Sequence, residues 1–100
     1  MKVYISGKIT GLDIEDVKRM FQLAENMLKI AYVDVINPMK ISPQKFEPTW
    51  KDYMIADIEK LIYCDAIFMI HNWKDSKGAI LEHHIAKELG LEIIYDRSNK

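Results

Sequence analysis

The sequence predicts an α/β fold in which a parallel sheet of four to five strands carries helices on both faces. Short β-branched or aromatic segments alternate with amphipathic segments in the order βαβαβαβ. Each strand–helix–strand connection is expected to be right-handed, which makes the strands parallel. A chain of 100 residues offers room for one core, so we expect a single domain over residues 1–100 and no second module.

The first half of the chain predicts a strand, a long helix and a second strand. The strands are placed at Lys2–Ser6 and Tyr32–Ile36, and the loop after the first strand has Gly7 and Gly11 at its ends. Asp13 is a candidate N-cap for a helix of about four turns. Apolar side chains at helical spacing define its buried face: Val17, Met20, Phe21, Ala24, Met27 and Leu28. The charged and polar side chains, Glu25 among them, fall on the other side.

A long loop and a second helix follow. Met39–Pro48 has no periodicity, and its length suggests a functional cover or an interface. Thr49 is a candidate cap for a helix from Trp50 to about Tyr63. Five apolar side chains are expected on its buried face: Trp50, Met54, Ile58, Leu61 and Ile62. Trp50 is therefore expected to pack in the core.

The last third predicts a buried strand, a helix and an edge strand. Asp65–Ile70 is an apolar run typical of a parallel strand, followed by a polar loop over His71–Lys77. The third helix is placed at Gly78–Leu89, with Gly90 after its last turn. Leu91–Tyr95 is the last strand, and the tail Asp96–Lys100 is expected to fray.

This topology directs attention to one edge of the sheet. In open parallel sheets, ligands bind beyond the carboxyl ends of the strands, where the strand order reverses. Three loops meet that condition: residues 7–13, 37–48 and 71–77. They carry two of the four glycines, all three prolines and several polar groups, so the binding site is expected among them.

Two acidic residues interrupt the apolar faces of their helices. Glu82 lies between Gly78 and Ala79 one turn before it and Ile85 one turn after it, within about 6 Å of the helix start. Asp57 falls on the buried face of the second helix. A carboxylate paired with Lys8 or a loop N–H would explain Glu82, and a salt bridge to Lys60 would explain Asp57. Paired acids in a partly dry cleft are also the arrangement that glycosidic chemistry uses.

Other candidate groups carry weaker signals. Ser76-Lys77-Gly78 opens the third helix and could bind an anion, although a plain Ser N-cap explains it as well. Trp73 could stack on a nucleobase. The three histidines, at 71, 83 and 84, lack metal-ligand spacing, so we expect no metal site. Cys64 is expected to be a buried, small apolar side chain.

Composition restricts the classes of partner. The chain has 14 basic and 15 acidic side chains and a net charge of -1, which leaves no basic footprint for a nucleic-acid polymer or a membrane surface. No apolar run is long enough to span a bilayer. A single cysteine and the absence of a secretory signal fit a cytoplasmic location. We therefore expect a small-molecule partner.

Five segments, taken together and in order, resemble a family of small bacterial and phage proteins of unknown function (DUF4406-like). The segments are Tyr4–Gly11, Asn37-Pro38, Trp50–Asp57, Cys64–Ala66 and Trp73–Glu82. That family is related to nucleoside 2-deoxyribosyltransferases and to 2′-deoxynucleoside 5′-monophosphate N-glycosidases. The resemblance extends from the first strand to the last and implies a flavodoxin-like three-layer sandwich.

The resemblance also implies roles for particular residues. Glu82 matches the glutamate that attacks the anomeric carbon, Asp57 the aspartate that assists the leaving base, and Tyr4 the tyrosine that lines the sugar pocket. Transferases have an acid six residues before the nucleophile. Here that position is Ser76, as in the monophosphate glycosidases, where a serine contacts the 5′-phosphate. Lys8 departs from the pattern, because the family usually has proline there.

These observations lead to one expected function and one alternative. We expect cleavage or transfer of the N-glycosidic bond of a 2′-deoxynucleoside or its 5′-monophosphate through a covalent glutamyl-deoxyribosyl intermediate, with no cofactor. The catalytic residues would be Glu82, Asp57 and Tyr4. Substrate binding is expected at Ser6, Gly7, Lys8, Ile9, Asn72, Trp73, Ser76 and Gly78. A homo-oligomer is expected, because one small chain leaves its cleft open. The alternative is a non-catalytic nucleotide-binding or interaction domain with the same fold.

Overall fold

Four strands and three α-helices make up the fold in the computed structural model, which describes residues 1–32, 34–41, 43 and 46–97. The strands are β1 (Lys2–Ser6), β2 (Asp34–Ile36), β3 (Ala66–Met69) and β4 (Glu92–Tyr95). The helices are α1 (Ile14–Leu28), α2 (Trp50–Leu61) and α3 (Lys77–Glu88). Two single 3₁₀ turns lie at Pro38–Lys40 and Trp73–Asp75.

The sheet is parallel throughout and has the strand order β2-β1-β3-β4. Helix α1 packs on one face, whereas α2 and α3 pack on the other. The prediction of a flavodoxin-like three-layer α/β sandwich is confirmed, with four strands. The chain leaves β1 in one direction to reach β2 and later reaches β3 on the opposite side. The strand order therefore reverses between β1 and β3, whose carboxyl ends are adjacent.

Strand alternation divides the interior into two cores. Val3 and Ile5 of β1 face α1 and pack with Val17 and Phe21. Tyr4 faces the other way, into the core beneath α2 and α3. Because successive side chains point to opposite faces of a strand, Ser6 lies on the same face as Tyr4. One short strand thus presents two hydroxyl groups to the α2–α3 layer.

The element boundaries differ from the predicted ones by one or two residues. Strands β3 and β4 are each shorter than predicted, α2 ends at Leu61 and not near Tyr63, and α3 begins at Lys77 and not at Gly78. The second strand was predicted from Tyr32, but the described strand begins at Asp34, and residue 33 lies outside the described residues. The long loop, predicted without periodicity, contains the turn Pro38–Lys40; its residues 42, 44 and 45 and the tail residues 98–100 are also outside the described residues.

The predicted caps are confirmed. The Asp13 carboxylate accepts hydrogen bonds from the first-turn backbone N–H groups of α1. Thr49 and Asp52 form a reciprocal capping box at the start of α2, and the Ser76 hydroxyl accepts from the backbone N–H of Ala79 at the start of α3. Gly90 follows α3 with a φ of 77°, which explains the glycine there. These caps fix the point at which each helix enters the carboxyl edge of the sheet.

Glu25 corrects the prediction for α1, because it is buried and not on the solvent side. Its carboxylate accepts hydrogen bonds from the Asn37 amide at 3.1 Å and the Lys40 ammonium at 3.1 Å, and it is 2.7 Å from the Lys29 ammonium. These three donors, Lys29 first, lower the Glu25 pKa to about 2. The buried carboxylate therefore joins α1 to the segment that follows β2.

Three apolar side chains predicted on buried faces are exposed. Trp50 and Ile62 are the first residue of α2 and the residue after its last turn, and they are 41% and 44% exposed. Met27 projects from the flank of α1 and lines a surface cavity of about 410 Å³, because α1 alone covers one face of the sheet. Cys64 is buried, as predicted. Among the described residues, no helix is both long and apolar enough to cross a bilayer.

Replacing Glu25 by glutamine tests the buried carboxylate. The Glu25→Gln variant is expected to lose about 1–2 kcal/mol of unfolding free energy at pH 7, because Lys29 and Lys40 lose their charged partner. A carboxylate whose pKa is depressed stabilises the fold above its unfolded pKa, and this contribution is lost as the pH falls through its folded pKa. The difference from wild type should therefore persist from pH 7 to pH 5 and shrink toward pH 2 in denaturant titrations.

Glu15→Gln is the matched control, because Glu15 lies on the same helix in an exposed pair with Lys18. It should change the unfolding free energy by less than about 0.5 kcal/mol. Equal effects for the two variants would contradict the role assigned to Glu25.

Candidate active site

The carboxylate of Glu82 lies at the centre of a buried polar cluster beneath α3. The Tyr4 hydroxyl donates to its Oε2 at 2.7 Å, and the Ser6 hydroxyl donates to its Oε1 at 2.7 Å. All three side chains are almost fully buried: Tyr4 is 0% exposed, Ser6 is 1% and Glu82 is 5%. The hydroxyls of β1, and not the predicted Lys8 or loop N–H, are thus the hydrogen-bond partners of this glutamate among the described residues. Each carboxylate oxygen retains a further acceptor position.

Burial governs the protonation of this cluster. Loss of water raises the pKa of Glu82 to about 6, although the hydrogen bonds from Ser6 and Tyr4 oppose the rise. The same burial, together with the charge of Glu82, raises the pKa of Tyr4 well above its usual value. Tyr4 is therefore a fixed hydroxyl donor at neutral pH, while Glu82 is an anion that loses its charge under mildly acidic conditions.

Asp57 is the second acid of the site and lies on the face of α2 that meets α3. It is 8% exposed, and its carboxylate forms no hydrogen bond or ion pair with the described residues; the salt bridge to Lys60 is absent. Burial, followed by the negative charge of Glu82, raises the Asp57 pKa to about 7. Near pH 7, then, Asp57 can hold a proton while Glu82 is ionised. Two acids whose environments separate their protonation states are typical of general acid and nucleophile pairs.

A close helix contact sets the width of the cleft between α2 and α3. A Cβ atom on Gly78 would lie 3.1 Å from the Met54 sulfur, so a glycine permits this approach. Met54 is three residues before Asp57 on α2, and Gly78 is four residues before Glu82 on α3. The contact between the two helices is therefore one turn away from the two acids, toward the N-terminal ends of both helices.

The loops after β1 and β3 lie against each other at the carboxyl edge. A Cβ atom on Gly7 would be 2.9 Å from Ile70, and the backbone N–H of Lys8 donates to the Asn72 side chain at 3.0 Å. Gly7 and Asn72 thus hold the two loops together beside Ser6. Ile9, by contrast, packs against the core beneath α1 and is not gathered with the acids.

The two tryptophans occupy different environments. The Trp73 ring stacks on the His83 imidazole at 4.3 Å between ring centres, and His83 Nε2 is 2.9 Å from the Tyr95 hydroxyl. Trp50 stands at the N-terminus of α2, 41% exposed, with the Lys77 ammonium 4.7 Å from its ring centre. Sequence reasoning placed Trp50 in the core, because its spacing matches the buried face of α2.

His71 and His83 each take part in a side-chain pair near the sheet edge. His71 Nδ1 is 3.3 Å from Asp96, and the two residues line cavities of about 410 and 480 Å³ on the β4 side of the edge. Burial, followed by the positive charge of Lys87, lowers the pKa of His83. In the part of the chain that the structure describes, no group of three or more His, Cys, Asp or Glu side chains is arranged to hold a metal ion.

The structure therefore brings together Tyr4, Ser6 and Glu82 by direct contact, with Asp57 close enough for its pKa to respond to Glu82. Ser76 and Gly78 lie at the start of α3, one to two turns from Glu82, in the same cleft. Sequence reasoning missed the Lys77–Trp50 contact and did not pair Ser6 with Glu82. The strand period could have predicted the second, because it places Ser6 and Tyr4 on one face.

Comparison with known proteins identifies one family. The family described as "Domain of unknown function (DUF4406)" matches residues 1–95. No curated protein and no solved structure matches the chain. The match covers every strand and helix of the fold, including all residues of the acidic cluster, and its description assigns no activity.

Neutralising Asp57 should stabilise the protein above neutral pH. The pKa of Asp57 is raised in the folded state, so ionisation of this carboxyl costs folding free energy as the pH rises from about 4 to about 7. Asp57→Asn is expected to raise the unfolding free energy at pH 8 by on the order of 2 kcal/mol. The gain should shrink as the pH falls toward 4 in denaturant titrations.

Glu59→Gln removes an exposed carboxylate from the same helix and serves as the control for a change in net charge. If Asp57→Asn destabilised the protein equally at pH 8 and pH 4, Asp57 would have a structural partner and not the isolated environment described above.

Proposed function

This chain belongs to the DUF4406 family, and we propose that it cleaves the N-glycosidic bond of a 2′-deoxynucleoside or its 5′-monophosphate. One observation carries the proposal: a buried glutamate is held by two hydroxyls beside a second acid whose pKa is higher. Breaking a glycosidic bond needs a nucleophile for the anomeric carbon and a proton for the leaving base. Near neutral pH, an ionised Glu82 would be the nucleophile and a protonated Asp57 would supply the proton.

In the first step, an ionised Glu82 oxygen attacks C1′ of the deoxyribose while the bond from C1′ to the base nitrogen breaks. The bonding pair of that C–N bond leaves with the base, and Asp57 donates the proton that the base requires. The products are a deoxyribosyl ester on Glu82, a neutral free base and an ionised Asp57. The hydroxyls of Tyr4 and Ser6 keep the Glu82 carboxylate oriented during the attack.

In the second step, the Asp57 carboxylate accepts a proton from water as the water oxygen attacks C1′. The bond from C1′ to Glu82 breaks and returns the glutamate as a carboxylate, and the released sugar carries the new hydroxyl. Asp57 regains the proton that it gave up, so the cycle closes without a cofactor. A second base in place of water would make the same site a transferase.

The rest of the cleft supports a phosphorylated substrate. Ser76 caps α3 with its hydroxyl oxygen, and the backbone N–H groups of Lys77 and Gly78 are at the first turn of that helix, where anions are stabilised. This end of α3 is about 6–9 Å from Glu82 along the helix axis, taking 1.5 Å per residue. A 5′-phosphate at the helix start would place the deoxyribose toward the buried acids.

Replacing the nucleophile tests the proposal directly. Incubation with each deoxynucleoside 5′-monophosphate should release free base, measured by liquid chromatography. Glu82→Gln should lower this rate by about 10³-fold or more, because no nucleophile remains for C1′. Glu88→Gln, which changes an exposed glutamate on the same helix, should leave the rate within about twofold.

The alternative is distinguished in the same assay. Tight nucleotide binding without base release, equal in wild type and Glu82→Gln, would replace the proposed activity with a non-catalytic nucleotide-binding domain. Brief acid quenching followed by intact-protein mass spectrometry should detect the deoxyribosyl ester in wild type and not in Glu82→Gln.

The pH dependence should identify the two acids. Activity needs an ionised Glu82 and a protonated Asp57, so kcat/KM is expected to be bell-shaped, with its maximum between about pH 6 and pH 7. Asp57→Asn should lower kcat/KM by about 10²-fold or more and remove the alkaline limb, while the acidic limb remains. An alkaline limb that persists in Asp57→Asn would assign the proton to another group.

A further inference from the structure

The groups that would touch the sugar are almost closed off from solvent in this structure. Glu82 and Asp57 are 5% and 8% exposed, and Tyr4 and Ser6 are less exposed still. Met54 of α2 packs against Gly78 of α3 one turn before these acids, so separation of the two helix starts would widen the approach to Glu82. What holds those ends together therefore controls access to the site.

Two contacts and one electrostatic interaction follow the α2–α3 cleft from its mouth to its interior. At the mouth, the Lys77 ammonium lies 4.7 Å from the centre of the Trp50 ring. One turn deeper, the Met54 sulfur lies against Gly78. Deeper again, Asp57 faces Glu82 closely enough for the charge of Glu82 to raise its pKa. Lys77 and Trp50 are the first residues of α3 and α2, so this outermost contact joins the two helix starts.

The Lys77–Trp50 contact is formed by groups that a phosphate can separate. A cation–π contact at an exposed ring is weak, whereas an ammonium binds a phosphate through charge-assisted hydrogen bonds. Lys77 is exposed and lies next to Ser76, at the helix start where the 5′-phosphate is proposed to bind. A phosphate at this position would draw the ammonium away from the indole ring.

We propose that Lys77 and Trp50 form a latch across the mouth of the cleft, which the 5′-phosphate of the substrate opens. This inference rests on the proposed function and adds a mechanism of selection to it. Lys77 exchanges the Trp50 ring for the phosphate, the two helix starts separate, and the sugar reaches Glu82. A nucleoside without a phosphate leaves the latch closed, so the latch makes the protein selective for 5′-phosphorylated substrates.

Tryptophan fluorescence can observe the latch without turnover. In Trp73→Phe, which keeps an aromatic ring against His83, Trp50 is the one remaining tryptophan. Addition of 2-deoxyribose 5-phosphate should shift the emission of Trp50 and increase its quenching by acrylamide. Addition of 2-deoxyribose should do neither. In Lys77→Gln, quenching should already be high and should not respond to the sugar phosphate.

Kinetics on paired substrates separates a latch from a structural contact. Lys77→Gln should lower the ratio of kcat/KM for the 5′-monophosphate to that for the nucleoside by about tenfold, the value of one charge-assisted contact. Trp50→Leu, which keeps Lys77, should raise kcat/KM for the nucleoside. Its kcat/KM for the monophosphate should stay within about threefold of the wild-type value. If the contact were merely structural, both variants would lower kcat/KM for the nucleoside and for the monophosphate by the same factor.

The chain offers a matched control, because Lys74 stands 5.8 Å from the Trp73 ring centre in a second cation–π pair outside the cleft. Lys74→Gln should leave the substrate ratio within about twofold of the wild-type value.

Two outcomes would overturn the latch and leave the proposed function standing. One is calorimetric binding of 2-deoxyribose 5-phosphate without a change in Trp50 emission, and the other is an equal loss of kcat/KM for both substrates in Lys77→Gln. If wild type neither binds nor cleaves any deoxynucleotide, the proposed function and the latch are both overturned.

Discussion

The interaction on which the site depends is the pair of hydroxyl donors that β1 directs at one carboxylate. Tyr4 and Ser6 share a strand face, and their bonds to Glu82 connect the centre of the sheet to the second turn of α3. A buried glutamate without such donors would carry a large desolvation cost and would rearrange or stay protonated. With them it remains a carboxylate near neutral pH. Burial, followed by the charge of this carboxylate, raises the pKa of Asp57 on the neighbouring helix, so the register of one strand contributes to the electrostatics of both acids.

Sequence reasoning could predict the fold and the two acids because both depend on patterns that extend over many residues. Alternating strands and amphipathic helices determine the parallel sheet, and Asp57 and Glu82 are recognisable because they interrupt apolar faces. The misplaced residues depend instead on single tertiary contacts. Glu25 has the spacing of a surface residue. Its burial depends on hydrogen bonds from Asn37 and Lys40, twelve and fifteen residues away, which offset the cost of removing the carboxylate from water. Trp50 has the spacing of a core residue, but it is the first residue of its helix and is 41% exposed.

The two helix layers of this small fold differ in the polar groups that they bury. Helix α1 packs its apolar face against β1 and β3 and is joined to the segment after β2 by the Glu25 cluster. Helices α2 and α3 cover the opposite face and hold both acids, whose burial opposes folding at high pH. Both faces of the sheet carry an apolar core, but Asp57 and Glu82 lie on the α2–α3 face alone. Such a separation is common where a site contains groups that the fold alone would not favour.

The packing of Met54 against Gly78 has a consequence for motion in the cleft. A methionine has three rotatable bonds and a polarisable sulfur, so it can fill gaps of different widths at little cost. A branched side chain in its place would fix one spacing between the helices and leave a void at any other. Met54 thus fills the space between the two helices one turn from the acids, and its flexible side chain can adapt to the opposing backbone. The helix contact beside the two acids thus joins one flexible thioether to one glycine, a pair that tolerates small changes in helix spacing.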